Sequence, residues 1–348
     1  MTTIKNFKSV QFVILNYLGT KYGLIIGVPF TIAVLASVTP VNRIHTSHSS
    51  VLIFGFGLSY GLIEEVSILS LHSPNNKKCT KTHLFVLKAT FSFNTMTDHK
   101  YLVIGPAAMG YFAFLGALSN IDTNKFEEIS GSSAGAIIGL CLACGKTVDE
   151  ITQWSLNLDL KELSKMNLKS FLISYGLISH EPIKKKFVDF IGNPTFSELK
   201  KKLYVSSFCV NTAKTEYFSV DTHPDMFVVD AVCMSMSVPF LFESVKYSNL
   251  LYVDGGTIER LPLEAFANKK EEEILCIKME IDPPKFEVKD LKQFVSNLIL
   301  STLDSKYQGS RGKIIKIQLG SVNVFDFLMT LEQKLKLFLI GQNLKEVE

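Results

Sequence analysis

Residues 129–137 read Ile-Ser-Gly-Ser-Ser-Ala-Gly-Ala-Ile, a G-x-S-x-G set between a short β-rich run, FEEISG, and an apolar, small-residue run, AGAIIGLCLACG. A strand before it and a helix after it are the context such a turn needs. Small residues on both sides let the chain reverse tightly, so that Ser133 Oγ stands at the start of a helix whose free N–H groups favour developing negative charge. The competing reading is a glycine-rich turn that only packs. Outward from this point, strand-like and helix-like runs alternate: YLVIG before YFAFLGALSNI, KLYVSSFCVNT before VVDAVCMSMS, then LLYVDGG and EILCIKMEI. This alternation predicts an α/β fold with a mostly parallel central sheet flanked by helices. In such sheets ligands bind outside the carboxyl ends of the strands, which is where Ser133 is expected.

Serine needs a base within hydrogen-bond reach. The histidines are at 45, 48, 72, 83, 99, 180 and 223. A hydrolase triad ordered Ser, acid, His would want a histidine near the last strands, and His223 comes too early. His180, in SHEP, and His223, in DTHPD, read as solvated loop residues. A stronger candidate ends the apolar strand Leu250-Leu251-Tyr252-Val253-Asp254, which is followed by Gly255-Gly256. Burial of Asp254 there would raise its basicity and let it take the serine proton directly. The alternative is that Asp-Gly-Gly is only a tight turn.

The ordered pair of motifs, with CMSMSVPFLFESV before Asp254 and Leu261-Pro262-Leu263 after it, resembles the patatin-like phospholipases from about Tyr101 to about Glu264. The resemblance implies a lipid acyl hydrolase with Ser133 as nucleophile and Asp254 as general base. Gly131, Gly135, Gly255 and Gly256 complete the two motifs, and no metal or cofactor is implied. The substrate class would be a phospholipid or acylglycerol, cleaved at a carboxylic ester through a serine acyl-enzyme. The family also carries a glycine-rich, usually basic loop that binds the oxyanion. Here that loop is Gly105-Pro106-Ala107-Ala108-Met109-Gly110, with no basic residue and a proline that lacks an N–H. The oxyanion hole is therefore expected from Gly105, Ala107 and Ala108, with the alanines avoiding positive φ. The departure keeps a catalytically inert relative on the same scaffold as one alternative. A Ser-His-Asp esterase is the other.

At 348 residues, with 47% hydrophobic and 20% charged residues, the chain is too apolar for a disordered or fibrous protein. A net charge of +3 is too weak for a nucleic-acid footprint, so no nucleic-acid partner is expected. Residues 22–42 carry no charge and are long enough to span a bilayer as a helix, with a cleaved signal or a buried helix as alternatives. The run at 51–63 is too short to span alone and ends at Glu64 and Glu65. The reading is an N-terminal membrane-anchoring segment and linker over 1–97, a hydrolase core over 98–285 and a helical or β extension over 286–348. Residues 72–100 serve as the linker, and the hydrolase lies on the cytosolic side of the membrane. Cys141 and Cys144 read as buried helical cysteines, with no partners that would complete a zinc set. Lys184–Lys186 and Lys200–Lys202 are solvated faces or holders of anionic headgroups. Phe171-Leu172-Ile173, Tyr175 and Leu177-Ile178 are core, acyl-groove lining or a bilayer contact.

Overall fold

A computed structural model describes residues 99–163, 165–282, 288, 294 and 311–344, together with three strands nearer the amino terminus. The chain divides into two compact units, residues 1–95 and 96–348. In the first, β1 (Phe12–Leu15), β2 (Ile63–Leu71) and β3 (Leu84–Phe91) form an antiparallel sheet in the order β1-β3-β2. β3 lies inside the stretch expected to be a linker. The polar flanks of 72–100 disguise LFVLKATF, an eight-residue apolar run of ordinary strand length. The expected span at 22–42 lies outside the described residues, as does the run at 51–63 apart from Ile63. Among the described residues no helix is long and apolar enough to cross a membrane.

The second unit opens with β4 (Tyr101–Ile104), α1 (Tyr111–Leu118), β5 (Glu128–Ser132), α2 (Ala134–Ala143) and α3 (Val148–Leu156). Next come α4 (Leu160–Leu163), α5 (Leu168–Ser174), β6 (Gly176–Ile178) and α6 (Glu181–Ile191). The chain continues through β7 (Lys202–Cys209), β8 (Lys214–Phe218), α7 (Val228–Ser235), β9 (Phe240–Phe242), β10 (Val245–Tyr247) and β11 (Leu250–Asp254). It ends with β12 (Ile274–Glu280), β13 (Lys313–Gln318) and α8 (Leu331–Gln342). Eight strands make one sheet, ordered β10-β11-β7-β5-β4-β12-β13 with β8 also paired to β7. All four residues of β4 are buried, as expected of a central parallel strand covered by helices on both faces.

The sheet is mixed, with the expected parallel strands as its larger part and antiparallel strands added to them. β7, β5, β4, β12 and β13 run parallel, whereas β8, β10 and β11 are antiparallel to their neighbours. The cause is local. β10 and β11 are joined by Ser248-Asn249, both at positive φ (47° and 63°), the backbone of a two-residue hairpin turn. Residues 286–348, expected as an extension, contribute the edge strand β13 and the helix α8, which packs on α1. That contact is backbone against backbone. A Cβ at Gly116 would sit 1.9 Å from Phe338 O, and one at Gly341 would sit 1.7 Å from Ala113 O.

Candidate functional site

Register on β7 brings the two motifs together. β5 ends at Ser132 opposite Ser206, and β11, arriving from the other direction, ends at Asp254 opposite Ser207. Two distant segments thus terminate against adjacent residues of one strand, and the Ser133 hydroxyl lies close enough to the Asp254 carboxylate to favour its ionised form. Both side chains are buried, with 5% and 4% of their surface exposed. Burial pushes Asp254 up to about 7, against the opposing pull of the Ser133 hydroxyl and the Gly256 N–H. That N–H donates to Asp254 Oδ1 at 2.7 Å, and the Asp254 N–H donates to Ser237 O at 2.9 Å. The carboxylate is held from both ends.

Ser133 sits at φ 54°, ψ −121°, a strained conformation at the N-cap of α2. Its neighbours explain how the chain tolerates this. A Cβ on Gly131 would lie 2.5 Å from Gly135 O, and one on Gly135 would lie 2.2 Å from Ile104 O. Only glycine permits β5 to turn this tightly into α2 while α2 rests on the end of β4. The Ser133 N–H donates to Ser235 Oγ at 2.9 Å, and Ser235 Oγ–H donates to Ser206 O at 2.6 Å. Ser235 therefore fixes the backbone of Ser133. Sequence reasoning assigns this serine no role. Two serines spaced at i and i+2 at the end of an apolar helix are the signal that could have found it.

The loop after β4 differs from expectation in two ways. The Gly105 N–H donates to Ile277 O at 3.0 Å, extending the sheet, so Gly105 is not an oxyanion donor. Ala108 lies at φ 44°, although the alanines were expected to avoid positive φ. The Met109 N–H donates to Val324 O and the Gly110 N–H to Ala107 O, which leaves the Ala107 and Ala108 amides with no backbone acceptor among the described residues. Pro106 packs on the second motif, where a Cβ at Gly256 would meet its ring at 2.6 Å.

Ala108, Ser133 and Ala134 line a cavity of about 120 Å³ whose remaining walls are largely apolar, among them Ile137, Phe187 and Phe242. Such a cavity accommodates a hydrocarbon chain and leaves the Ser133 hydroxyl as a polar group at its wall.

His180 is not the solvated loop residue expected. It is buried, stacked on Phe242, and its Nε2 lies 2.9 Å from both Ser237 Oγ and Glu243 O. Burial lowers it to about 4, which keeps the ring neutral at physiological pH. His223 is half-buried against Phe218 and Tyr247. The Asp254 carboxylate is paired with Ser133 and Gly256, not with an imidazole. The lysine runs are partly absorbed by the protein itself. Lys184 pairs with Asp230 and Lys202 with Asp221, while Lys201 Nζ donates to three carbonyls at 123, 124 and 126. Cys141 is a buried free thiol of α2, and Cys144, its C-cap, is half-buried. Among the described residues no group of three or more His, Cys, Asp or Glu side chains is placed to hold a metal.

The family model described as Patatin-like phospholipase matches residues 102–267. An uncharacterized protein of Acanthamoeba polyphaga mimivirus is 28% identical over 276 residues, covering 70% of this chain and 91% of that protein. A probable lipid hydrolase of Invertebrate iridescent virus 6 is 30% identical over 190 residues, covering 49% of this chain and 66% of that protein. The crystal structure of VipD from Legionella pneumophila is similar in fold, with a TM-score of 0.50 at 16% identity over 84% of this chain and 70% of that one.

Proposed function

Residues 102–267 belong to the patatin-like phospholipase family, and from that premise we propose that the chain hydrolyses carboxylic esters of membrane lipids, phospholipids or acylglycerols, through a Ser133–Asp254 dyad. The observation that carries this reading is the placing of the Ser133 hydroxyl beside a buried carboxylate and at the wall of an apolar cavity. With Asp254 near 7, the carboxylate is substantially ionised at neutral pH and far more basic than an exposed one. Ser133 Oγ attacks the ester carbonyl as its proton passes to Asp254. The oxyanion is met by the Ala107 and Ala108 amides and by the first turn of α2. Collapse expels the alcohol, which takes the proton back from Asp254 and leaves the acyl group on Ser133. Asp254 then deprotonates a water that attacks the acyl-enzyme, and returns the proton to Ser133 Oγ as the fatty acid departs. The cavity holds the acyl chain throughout.

Residues 22–42 would tether this hydrolase to a membrane, with the catalytic unit on the cytosolic side. Retention in the membrane fraction through alkaline carbonate tests the tether. The reaction is tested by incubating the protein with phosphatidylcholine vesicles and with emulsified triacylglycerol and measuring released fatty acid. Release from at least one that is abolished in Ser133→Ala is expected. No release from either would favour an inert scaffold.

A further inference from the structure

Exposed large apolar residues of the hydrolase unit are spread along the chain, and five of them fall within ten residues. Met166, Phe171, Leu172, Ile173 and Tyr175 lie on and beside α5, and Leu172 and Ile173 leave 81% and 79% of their surface open. A core role for Phe171-Leu172-Ile173 is thereby excluded. α5 packs on β6, and Gly176 of β6 is the register partner of Phe240 on β9, which brings the exposed Phe240 to the same face. Phe240 and Phe242 are two residues apart on β9. Phe242 lines the cavity that holds Ser133. Open apolar surface and cavity are thus joined along β9. The two aromatic residues there, Tyr175 and Phe240, both stand at positive φ (58° and 67°), a conformation that bulky side chains rarely adopt.

Charge indicates what this face meets. From Leu163 to His180 there is no acidic residue, and Lys165 and Lys169 are both exposed beside the aliphatic cluster. Apolar side chains bordered by lysines are the composition of a segment that lies in the headgroup region of an anionic membrane. We propose that α5, with Met166, Tyr175 and Phe240, is the surface by which the hydrolase unit docks on an anionic lipid bilayer and sets its acyl cavity at the interface. The use of that docking in catalysis rests on the lipid hydrolase reading; the docking itself is measured separately.

In the full chain, Leu172→Trp adds a second indole to Trp154. Its emission is read as the difference from the unsubstituted protein. Blue-shifted emission, quenched by brominated acyl chains in phosphatidylglycerol vesicles and less in phosphatidylcholine vesicles, is expected. In a second arm, Leu172→Asp with Ile173→Asp should lower hydrolysis of vesicle phosphatidylglycerol at least about tenfold, since two aliphatic side chains leave the interface. Hydrolysis of a dispersed short-chain ester should stay unchanged. Unquenched emission from the introduced indole overturns the docking surface, whether the face is then found free, covered by a second copy in solution, or occupied by a protein. Equal loss on both substrates also overturns it, because the pair would then support the fold. Should the unsubstituted protein hydrolyse neither substrate, the catalytic reading fails while the quenching arm still decides the docking.

Discussion

Asp254→Asn is expected to abolish turnover and, at alkaline pH, to stabilise the fold. The carboxyl is displaced from 3.8 to about 7 by burial, so the folded state prefers it protonated. A group whose folded value is raised contributes stability that is complete below the unfolded value and is lost as pH climbs through the folded one. With these two values, the loss between about pH 5 and about pH 8 comes to about 2.5 kcal/mol. Asparagine is neutral throughout, keeps an oxygen for the Gly256 N–H, and removes that slope. At a few degrees per kcal/mol for a unit of this size, the variant should gain roughly 5–10 °C on the unsubstituted protein between those two pH values. Thermal melts of both proteins across that range, with fatty acid release assayed in parallel, measure the effect. Parallel stability curves would refute the reasoning, because Asp254 would then ionise in the fold as easily as in water. So would an active asparagine variant, since an amide cannot take the serine proton.

Three further outcomes follow from the same geometry. The acid limb of kcat/KM should fall with an apparent value near 7, the position to which burial moves Asp254, and a limb at the value of an exposed carboxylate would remove that residue as base. Ala108→Gly should relieve the left-handed φ of 44° and raise stability by about 0.5 kcal/mol after the added chain entropy of glycine. Activity should stay within about tenfold, because the amide is kept; chemical denaturation and turnover check both. Ser235→Ala should strip the acceptor from the buried Ser133 N–H and the donor from Ser206 O, costing about 2 kcal/mol of stability. It should lower kcat more than it raises KM, and a change in KM alone would show that Ser235 does not position the nucleophile.

Much of this site is legible in the sequence because its determinants are local. A G-x-S-x-G with a strand before it and a helix after it states its own geometry, and Gly131 is dictated by backbone contacts a few residues away, Gly135 by the end of β4. An apolar strand ending in Asp-Gly-Gly is equally self-describing. The meeting of Ser133 with Asp254 is not local, since it depends on β5 and β11 ending against Ser206 and Ser207 of β7. A hydrophobic pattern does not encode such a register. The antiparallel hairpin of β10 and β11 escaped for a related reason: Ser248-Asn249 makes its turn without the glycine that ordinarily signals one. His180 looks like a loop residue because Ser179, Glu181 and Pro182 surround it, yet Ser237 and Phe242, far along the chain, bury it. Ala108 is the reverse case, a residue whose side chain argues against a conformation that the loop between β4 and α1 imposes on it. The exposed cluster on α5 could not be separated from core by pattern, because both are short apolar runs.

The most direct test of the Ser133–Asp254 account is the mass-spectrometric mapping of the adduct formed by a fluorophosphonate at about pH 8, on the unsubstituted protein and on Asp254→Asn. A single adduct on the peptide bearing Ser133, forming rapidly in the first protein and at least about a hundredfold more slowly in the second, is the expected result. An adduct on any other residue, or equal rates in the two proteins, would contradict it.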